Sequence, residues 1–399
     1  MKGDEKWLVS VSAGRWQQRG IKSAIEQGVL VFALDGDSQA VGLNLATRSQ
    51  VVDIKDPEQV VASIQASGIR PSGVVSFVSE VGMPAASLVR EKYELPGPDY
   101  EMTQRLTNKI VQRQRWEQAG VPGPAWRSFS SIDDAIEYAN DIGYPCIVKP
   151  VDGAGSRGVT KVEDANEYLQ AVERALAMST SGMALVESFM DGIEYAVETF
   201  GDGEQIYVLA VTEKKKVPGT GGTVARELAT PSDSTREQLV ASIAVKALEA
   251  LGYKSGPGHT EVIVQHGSCA PGLVEAAGRG GGFMVFERMV EMVSGFDIVT
   301  ATALQAVGVD VKVNLDRKQS AVLRFVASAE GVVSKIAGIE EANSIPGVEV
   351  GVFVAVGDKV RNVEGDGDRL AYILAVGETP DKAAELADQA ELIVQFDID

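Results

Sequence analysis

Apolar residues in this chain fall in short runs separated by polar turns, and strand-like and helix-like spacings alternate. Trp7–Val11 is a strand-length run; a loop around Gly14, a helix-like stretch through Ile25 and a second run, Val29–Leu34, follow. That order predicts a β–α–β unit. It recurs as a helix over Pro57–Ser67, a buried strand over Gly73–Val78 and an amphipathic helix over Pro84–Tyr93, so a doubly wound parallel sheet is expected. Leu95-Pro96-Gly97-Pro98-Asp99 breaks any regular element, which closes a first domain at residues 1–100. The turn after the first strand, Ser12-Ala13-Gly14-Arg15, lacks the G-x-G-x-x-G spacing and argues against a nicotinamide cofactor.

Beyond this boundary, Met102–Gly120 is polar and helix-like, with Leu106, Ile110 and Trp116 among basic residues. Ser131–Ile142 reads as a capped helix with Asp133 and Asp134 at its positive end, and Pro145–Pro150 as a short strand. Strands are expected over Ala184–Phe189 and, after a turn at Asp191-Gly192, over the alternating Glu194–Phe200. Thr260–Val264 and Gly272–Ala276, joined by a turn at His266–Pro271, predict an antiparallel hairpin. The final stretch reads as a meander with turns at Gly331, Gly347, Gly357 and Gly365.

Composition narrows the partners. The 399 residues suggest two to four domains, and 37 basic against 56 acidic residues leave a net charge of −19. That charge argues against a nucleic-acid backbone or an anionic membrane as partner. Apolar runs such as Gly28–Leu34 and Val350–Val356 are far shorter than the ~20 residues of a spanning helix, and the N-terminal segment lacks the apolar core of a signal peptide. Two cysteines, Cys146 and Cys269, make neither a disulfide framework nor a thiolate cluster, which fits a cytoplasmic setting.

Three clusters carry candidate chemistry. Lys149 ends a strand and precedes Asp152-Gly153-Ala154-Gly155-Ser156-Arg157-Gly158, placing a cation beside amides that can approach phosphate; a plain turn is the alternative. After the strand ending in Val186-Glu187-Ser188-Phe189-Met190, the alternating segment Glu194–Phe200, with its two glutamates Glu194 and Glu198, reads either as a solvated hairpin face or as a ligand site. In the third, hairpin pairing brings Glu261 and Glu275 together, where two carboxylates repel unless a divalent cation lies between them. Arg279, within Gly278-Arg279-Gly280-Gly281-Gly282, can reach phosphate or carboxylate bidentately, or staple the loop by a salt bridge. Glu213–Glu227 reads as a long loop in which Lys214–Lys216 is a solvated charge run by default. His259 is a proton carrier or a strand-end residue.

In this order the clusters resemble the ATP-grasp superfamily over residues 100–308, and the preceding α/β domain is similar to the one that usually precedes such a core. The resemblance implies an α/β and α+β protein with the ATP-grasp fold: an N-terminal doubly wound domain (1–100), a core (101–308) with a flap lobe at about 125–200, and a C-terminal α+β lobe (309–399). It implies that Lys109, in Thr107-Asn108-Lys109, and Lys149 bind nucleotide phosphates beneath a flap at Gly153–Gly158 that includes Gly155 and Ser156. Glu187, Ser188, Phe189 and Met190 would hold the adenine edge, Glu194 the ribose, and Glu261 and Glu275 magnesium, with manganese as an alternative ion. Many members read Glu-x-Asn-x-Arg where this chain has Glu275-Ala276-Ala277-Gly278-Arg279, so one metal ligand is replaced by Ala277.

Glu-Ala-Ala-Gly-Arg followed by glycines is similar to the L-amino acid ligases, which make dipeptides from unprotected amino acids. Gly331-Val332-Val333, Ile345-Pro346-Gly347-Val348, Val356-Gly357-Asp358-Lys359-Val360 and Arg369 resemble their appended domain. The implied enzyme uses ATP and magnesium to join a carboxylate and an amine through an acylphosphate. Arg279 and Lys149 would be catalytic, and Arg226, His259, Gly281 and Gly282 would bind small-molecule amino acid substrates, with a homodimer as the prior for such an enzyme. An ATP-grasp enzyme using bicarbonate or formate, and an ATP-binding protein without turnover, are the alternatives.

Overall fold

A computed structural model describes residues 5–152, 157–218 and 224–399, with the side chain of Asn140 excepted. Four parallel strands open the chain: β1 (Trp7–Val11), β2 (Leu30–Asp35), β3 (Arg48–Val51) and β4 (Gly73–Val75), ordered β3-β2-β1-β4. Helices α1 (Gln18–Glu26), α2 (Pro57–Ser67) and α3 (Met83–Tyr93) accompany them, giving the expected doubly wound sheet. β1 and β4 are buried along almost their whole length, as parallel strands covered on both faces must be. The exposed edge strand β3, Arg48-Ser49-Gln50-Val51, carries no apolar alternation and no sequence signal. Asp56 caps α2 by accepting from the amides of Glu58 and Gln59, and Gly68 ends that helix in the left-handed region at φ 71°.

The stretch after residue 100 is two helices where the periodicity gives one. α4 (Tyr100–Thr107) and α5 (Lys109–Gln118) break at Asn108, which is extended and whose side chain accepts from the amides of Ile110 and Val111. An asparagine that satisfies the first amides of a new helix competes with continuing the old one. The flap lobe follows as β5 (Trp126–Phe129), α6 (Ile132–Ile142), β6 (Cys146–Pro150), β7 (Thr160–Val162), α7 (Ala165–Met178) and β8 (Ala184–Ser188). Its antiparallel sheet, ordered β5-β8-β6-β7, has a core of its own around Phe129, Val148, Tyr168 and Val186. Ser131 caps α6 as expected, accepting from the Asp134 amide at 3.2 Å.

The core continues with β9 (Gly192–Asp202), β10 (Ile206–Lys216), β11 (Ala225–Ala229), α8 (Ser234–Leu251), β12 (Ser255–Gln265) and β13 (Pro271–Ala277). A π-helical turn at Val285–Met289, α9 (Val290–Ser294) and α10 (Ile298–Ala306) complete it. The last stretch holds β14 (Ser320–Val326), β15 (Gly331–Ala337), α11 (Ile339–Asn343), β16 (Val348–Val352), β17 (Lys359–Val360), β18 (Ala371–Gly377), α12 (Pro380–Ile393) and β19 (Gln395–Ile398). One eight-stranded sheet, ordered β13-β12-β9-β10-β11-β14-β18-β16, runs across residue 308, so the C-terminal lobe extends the core's own sheet.

Candidate active site

The hairpin of β12 and β13 sets Glu261 directly opposite Glu275, a register at which Cβ atoms lie about 4.5–5.5 Å apart. Each carboxylate meets an ammonium group: Lys109 Nζ stands 3.0 Å from Glu275, and Lys214 Nζ touches both Glu261 and Glu194. Burial works against ionisation of both carboxyls, and the cations overcome it. Lys109 holds Glu275 below its usual range; Lys214 and His259 hold Glu261 well below its own. Glu261 and Glu275, opposite each other on paired strands, are the residues that would hold magnesium, which is usually bound by one or two carboxylates plus a substrate phosphate. Ala277, where the resemblance has an asparagine, is buried and offers no side-chain ligand.

The helix break at Asn108 puts Lys109 on the first turn of α5, its amide donating to Val151 O at 3.3 Å. One turn on, Gln112 donates to Ala276 O at 2.7 Å and Arg113 to Val274 O at 2.7 Å, so α5 is pinned to the strand that carries Glu275. Arg113 also binds Glu187 Oε1 at 2.8 Å, and Glu187 Oε2 binds Lys149 Nζ at 2.8 Å. This triad is buried. Burial and the neighbouring cations Arg113 and Lys109 bring Lys149 down to about 8 despite Glu187. Glu187, facing two cations against the cost of burial, is drawn down to about 2.

The Glu187 side chain is therefore a clamp on the two cations, and any contact it makes to an adenine comes from the backbone of its segment. The Ser188 amide donates to Ala125 O and the Phe189 amide to Pro145 O; among the described residues the Met190 amide has no partner. Glu194 is held by Lys214 at 2.7 Å and Lys216 at 2.6 Å. The charge run read as a solvated loop is thus the end of strand β10, where alternation turns Lys214 and Lys216 to the carboxylates and Lys215 to Glu227 on the other face.

Arg279, just past β13, donates to Gly280 O at 3.1 Å and to Glu80 Oε2 at 3.2 Å, while its buried Nε has no partner among the described residues. Glu80 lies in the loop after β4, at the carboxyl end of the parallel sheet, where open α/β sheets bind ligands. Burial and Glu275 raise the Glu80 carboxyl. His259 Nδ1 meets Glu198 Oε1 at 2.5 Å, its Nε2 lies 3.5 Å from Glu261, and Glu198 Oε2 accepts from the Gly281 amide at 3.1 Å. Against burial, Glu198 and Glu261 raise His259 to about 9. A Cβ on Gly281 would lie 2.6 Å from Glu198, whereas Gly282 faces open space.

Arg226 stands apart. It is the extra residue of a bulge, since Lys215 pairs with Glu227 and Lys216 with Ala225, and it turns to Glu391 of α12 at 2.7 Å. The arginine closer to the cluster is Arg369, bound to Asp366 at 2.5 Å and Ala225 O at 2.7 Å and stacked 3.7 Å over the Phe325 ring. Gly155 and Ser156 lie outside the described residues. The sequence assigns no site role to Glu80, Arg113 or Lys214 and leaves Glu198 between a solvated hairpin face and a ligand site.

Comparison with known proteins bears on the family and the fold. Residues 142–287 match the model of the ATP-grasp domain, and residues 324–399 that of L-amino acid ligase C-terminal domain 2. A protein of Sinorhizobium fredii, y4rH, described as uncharacterized, is 30% identical over 335 residues, 82% of this chain and 67% of that protein. The carbamoyl phosphate synthase large chain of Thermotoga petrophila is 25% identical over 246 residues, 58% of this chain but 22% of that protein. Among solved structures, L-amino acid ligase from Bacillus licheniformis superposes with TM-score 0.85 at 20% identity, covering all of both chains. Phosphoribosylglycinamide synthetase from Anaerococcus prevotii gives 0.78 at 18%, covering 99% of this chain and 100% of that one. The chain thus carries an ATP-grasp domain over residues 142–287 and an L-amino acid ligase C-terminal domain 2 over residues 324–399, within a fold shared with solved ATP-grasp structures.

Proposed function

We propose that the protein is an ATP-dependent carboxylate–amine ligase that joins amino acid-like substrates and releases ADP and phosphate. The observation that carries the reading is the convergence of Lys109, Glu261, Glu275 and Arg279 at one end of the β12–β13 hairpin. The match of residues 324–399 to an L-amino acid ligase domain supports amino acids as the substrate class. A substrate carboxylate oxygen attacks the γ-phosphorus, the bond to the β-phosphate oxygen breaks, and ADP leaves. The amine then attacks the acyl carbon, phosphate leaves with the bonding pair, and the amine loses a proton. Magnesium, held by Glu261 and Glu275, would neutralise charge on the phosphates.

Lys109 and Lys149 bind phosphate oxygens, and the Met190 amide holds the adenine edge. Arg279, with Nε free and Glu80 aligning its fork, stabilises the acylphosphate and the tetrahedral intermediate. Glu198 fixes the imidazole of His259 and the Gly281 amide in one orientation beside the reacting carboxylate. Arg279→Met is expected to lower turnover about 10²–10³-fold while nucleotide affinity changes little; equal turnover removes Arg279 from the mechanism.

The deciding assay is ADP release with Mg-ATP across pairs of L-amino acids, with bicarbonate and formate run alongside. Turnover confined to particular amino acid pairs is the expected result. Release that needs bicarbonate or formate and ignores amino acids replaces the reading with the chemistry of the other ATP-grasp enzymes, and tight ATP binding without ADP under any pair makes the protein a nucleotide binder.

A further inference from the structure

A cavity of about 90 Å³ lies behind the active site, between the free edge of β4, one face of α3 and the start of β12. It shares Gly97, Pro98, Tyr253 and Ser255 with an outer recess of about 260 Å³, so it communicates with the surface. Its wall is mixed: Val74, Met83, Ala86 and Pro257 give an apolar side, Ser76, Thr302 and Gln305 a polar one, and one cation stands in it, Arg90. Arg90 Nη1 donates to Pro98 O at 3.2 Å and Nη2 to Val74 O at 3.0 Å. Both acceptors are neutral. Nε is shielded from solvent without a partner among the described residues, and the linker bends around it: Gly97, at φ 112°, could not carry a Cβ, which would lie 2.7 Å from that nitrogen.

Four other arginines in or around the core each have a carboxylate: Arg113 has Glu187, Arg279 has Glu80, Arg324 has Glu227 and Arg369 has Asp366. Arg90 forms no ion pair among the described residues, and burial alone lowers it to about 10, so it stays charged at neutral pH. Arg90 is half-buried; a cation partly withdrawn from water without a counter-charge is costly, and an anion offsets that cost. One guanidinium balances one negative charge, which favours a carboxylate over a phosphate dianion, and the apolar side of the wall, Val74, Met83 and Ala86, suits a short hydrocarbon tail.

We propose that this cavity binds a small organic monocarboxylate, its carboxylate on Arg90 and its tail against Val74, Met83 and Ala86. The ligand would touch the active site from behind. Gly278, in the cavity wall, precedes Arg279, and Ser76, also in the wall, opens the loop that carries Glu80. An occupied cavity thus supports both members of the Arg279–Glu80 pair, and the inference stands whether or not the protein joins amino acids.

The test is calorimetric titration of the full chain with isovalerate, its neutral amide isovaleramide and inorganic phosphate. Isovalerate is expected to bind one to one, and the amide and phosphate at least about tenfold more weakly, the worth of a hydrogen bond to a charged group. Arg90→Gln, with folding checked by circular dichroism, is expected to weaken isovalerate about tenfold or more. Ala86→Leu keeps the guanidinium but fills the cavity, so it should abolish binding even if Arg90→Gln does not fold. No saturable isovalerate binding, equal binding of amide or phosphate, or undiminished binding to folded Arg90→Gln or Ala86→Leu overturns the proposal.

Discussion

Lys149 illustrates how a buried cation is tuned by what shares its counter-ion. Glu187 serves both Lys149 and Arg113, so the lysine receives part of one carboxylate while it feels the repulsion of Arg113 and Lys109, and with burial this brings it to about 8. If the ammonium form binds phosphate, kcat/KM for ATP should fall as pH rises through about 8, because that ratio reports the free enzyme. A pH profile that stays flat to pH 9 would remove Lys149 from phosphate binding. Stability should move the other way. The unfolded lysine titrates near its ordinary 10.5, so between about 8 and 10.5 the unfolded state holds more protons and stability rises with pH from this group. Glu187 is opposite in kind: its folded value, about 2, lies below the ordinary 4.5, so its contribution is complete above 4.5 and is lost as pH falls towards 2. Glu187→Gln leaves two buried cations without a counter-charge, and urea unfolding should show a loss of about 3–5 kcal/mol.

At the scale of elements, strand alternation explains why β10 carries the site. Lys214 and Lys216 project to Glu194 and Glu261, and Lys215 projects to Glu227. The sequence shows three consecutive lysines, and a charge run reads as solvated because its partners sit 20 and 47 residues away, on strands adjacent only after the sheet forms. Local signals, in contrast, were legible: β1 and α2 fall where periodicity and turn chemistry set them, and the β12–β13 hairpin forms with the expected Glu261–Glu275 pairing. Glu80 was not legible, since a single carboxylate in a loop carries no motif and gains meaning only from Arg279, and Glu198 stayed ambiguous because its partner His259 lies opposite it on a strand that is adjacent only after the sheet forms. Lys214→Met tests the strand's role. It removes the ammonium shared by Glu194 and Glu261, and thermal or urea unfolding should show a loss of about 3–5 kcal/mol. Magnesium without nucleotide should then stabilise the variant more than the parent, as a divalent ion can replace the missing charge between carboxylates; an equal response in both would mean that Lys214 does not guard that position.

Across the whole molecule the cores are divided unevenly. One apolar cluster runs from Leu8 and Phe77 of the first domain through Phe286 and Val299 to Leu323, Phe325 and Leu374 of the last stretch. The flap lobe keeps its own cluster, with all buried members between Phe129 and Val186. Cutting the chain after Gly308 removes β14 and β18, opens the edge of β11 and deletes Leu323, Phe325 and Leu374. At about 1.5–3 kcal/mol for each buried side chain, this loss is comparable with the whole net stability of a domain, about 5–15 kcal/mol. The truncated chain should aggregate through its open edge. Deleting the flap lobe has the opposite expectation. The Ser188 amide donates to Ala125 O at 2.9 Å, so the lobe leaves and returns at one point, and a short Gly-Ser link can replace residues 126–188. That variant should remain monodisperse by light scattering and unfold cooperatively, less stable by the loss of Glu187 opposite Arg113, and should lose ATP binding with Lys149. If the flap-deleted chain aggregates while the chain ending at residue 308 stays folded, the shared apolar cluster is not what holds the chain together.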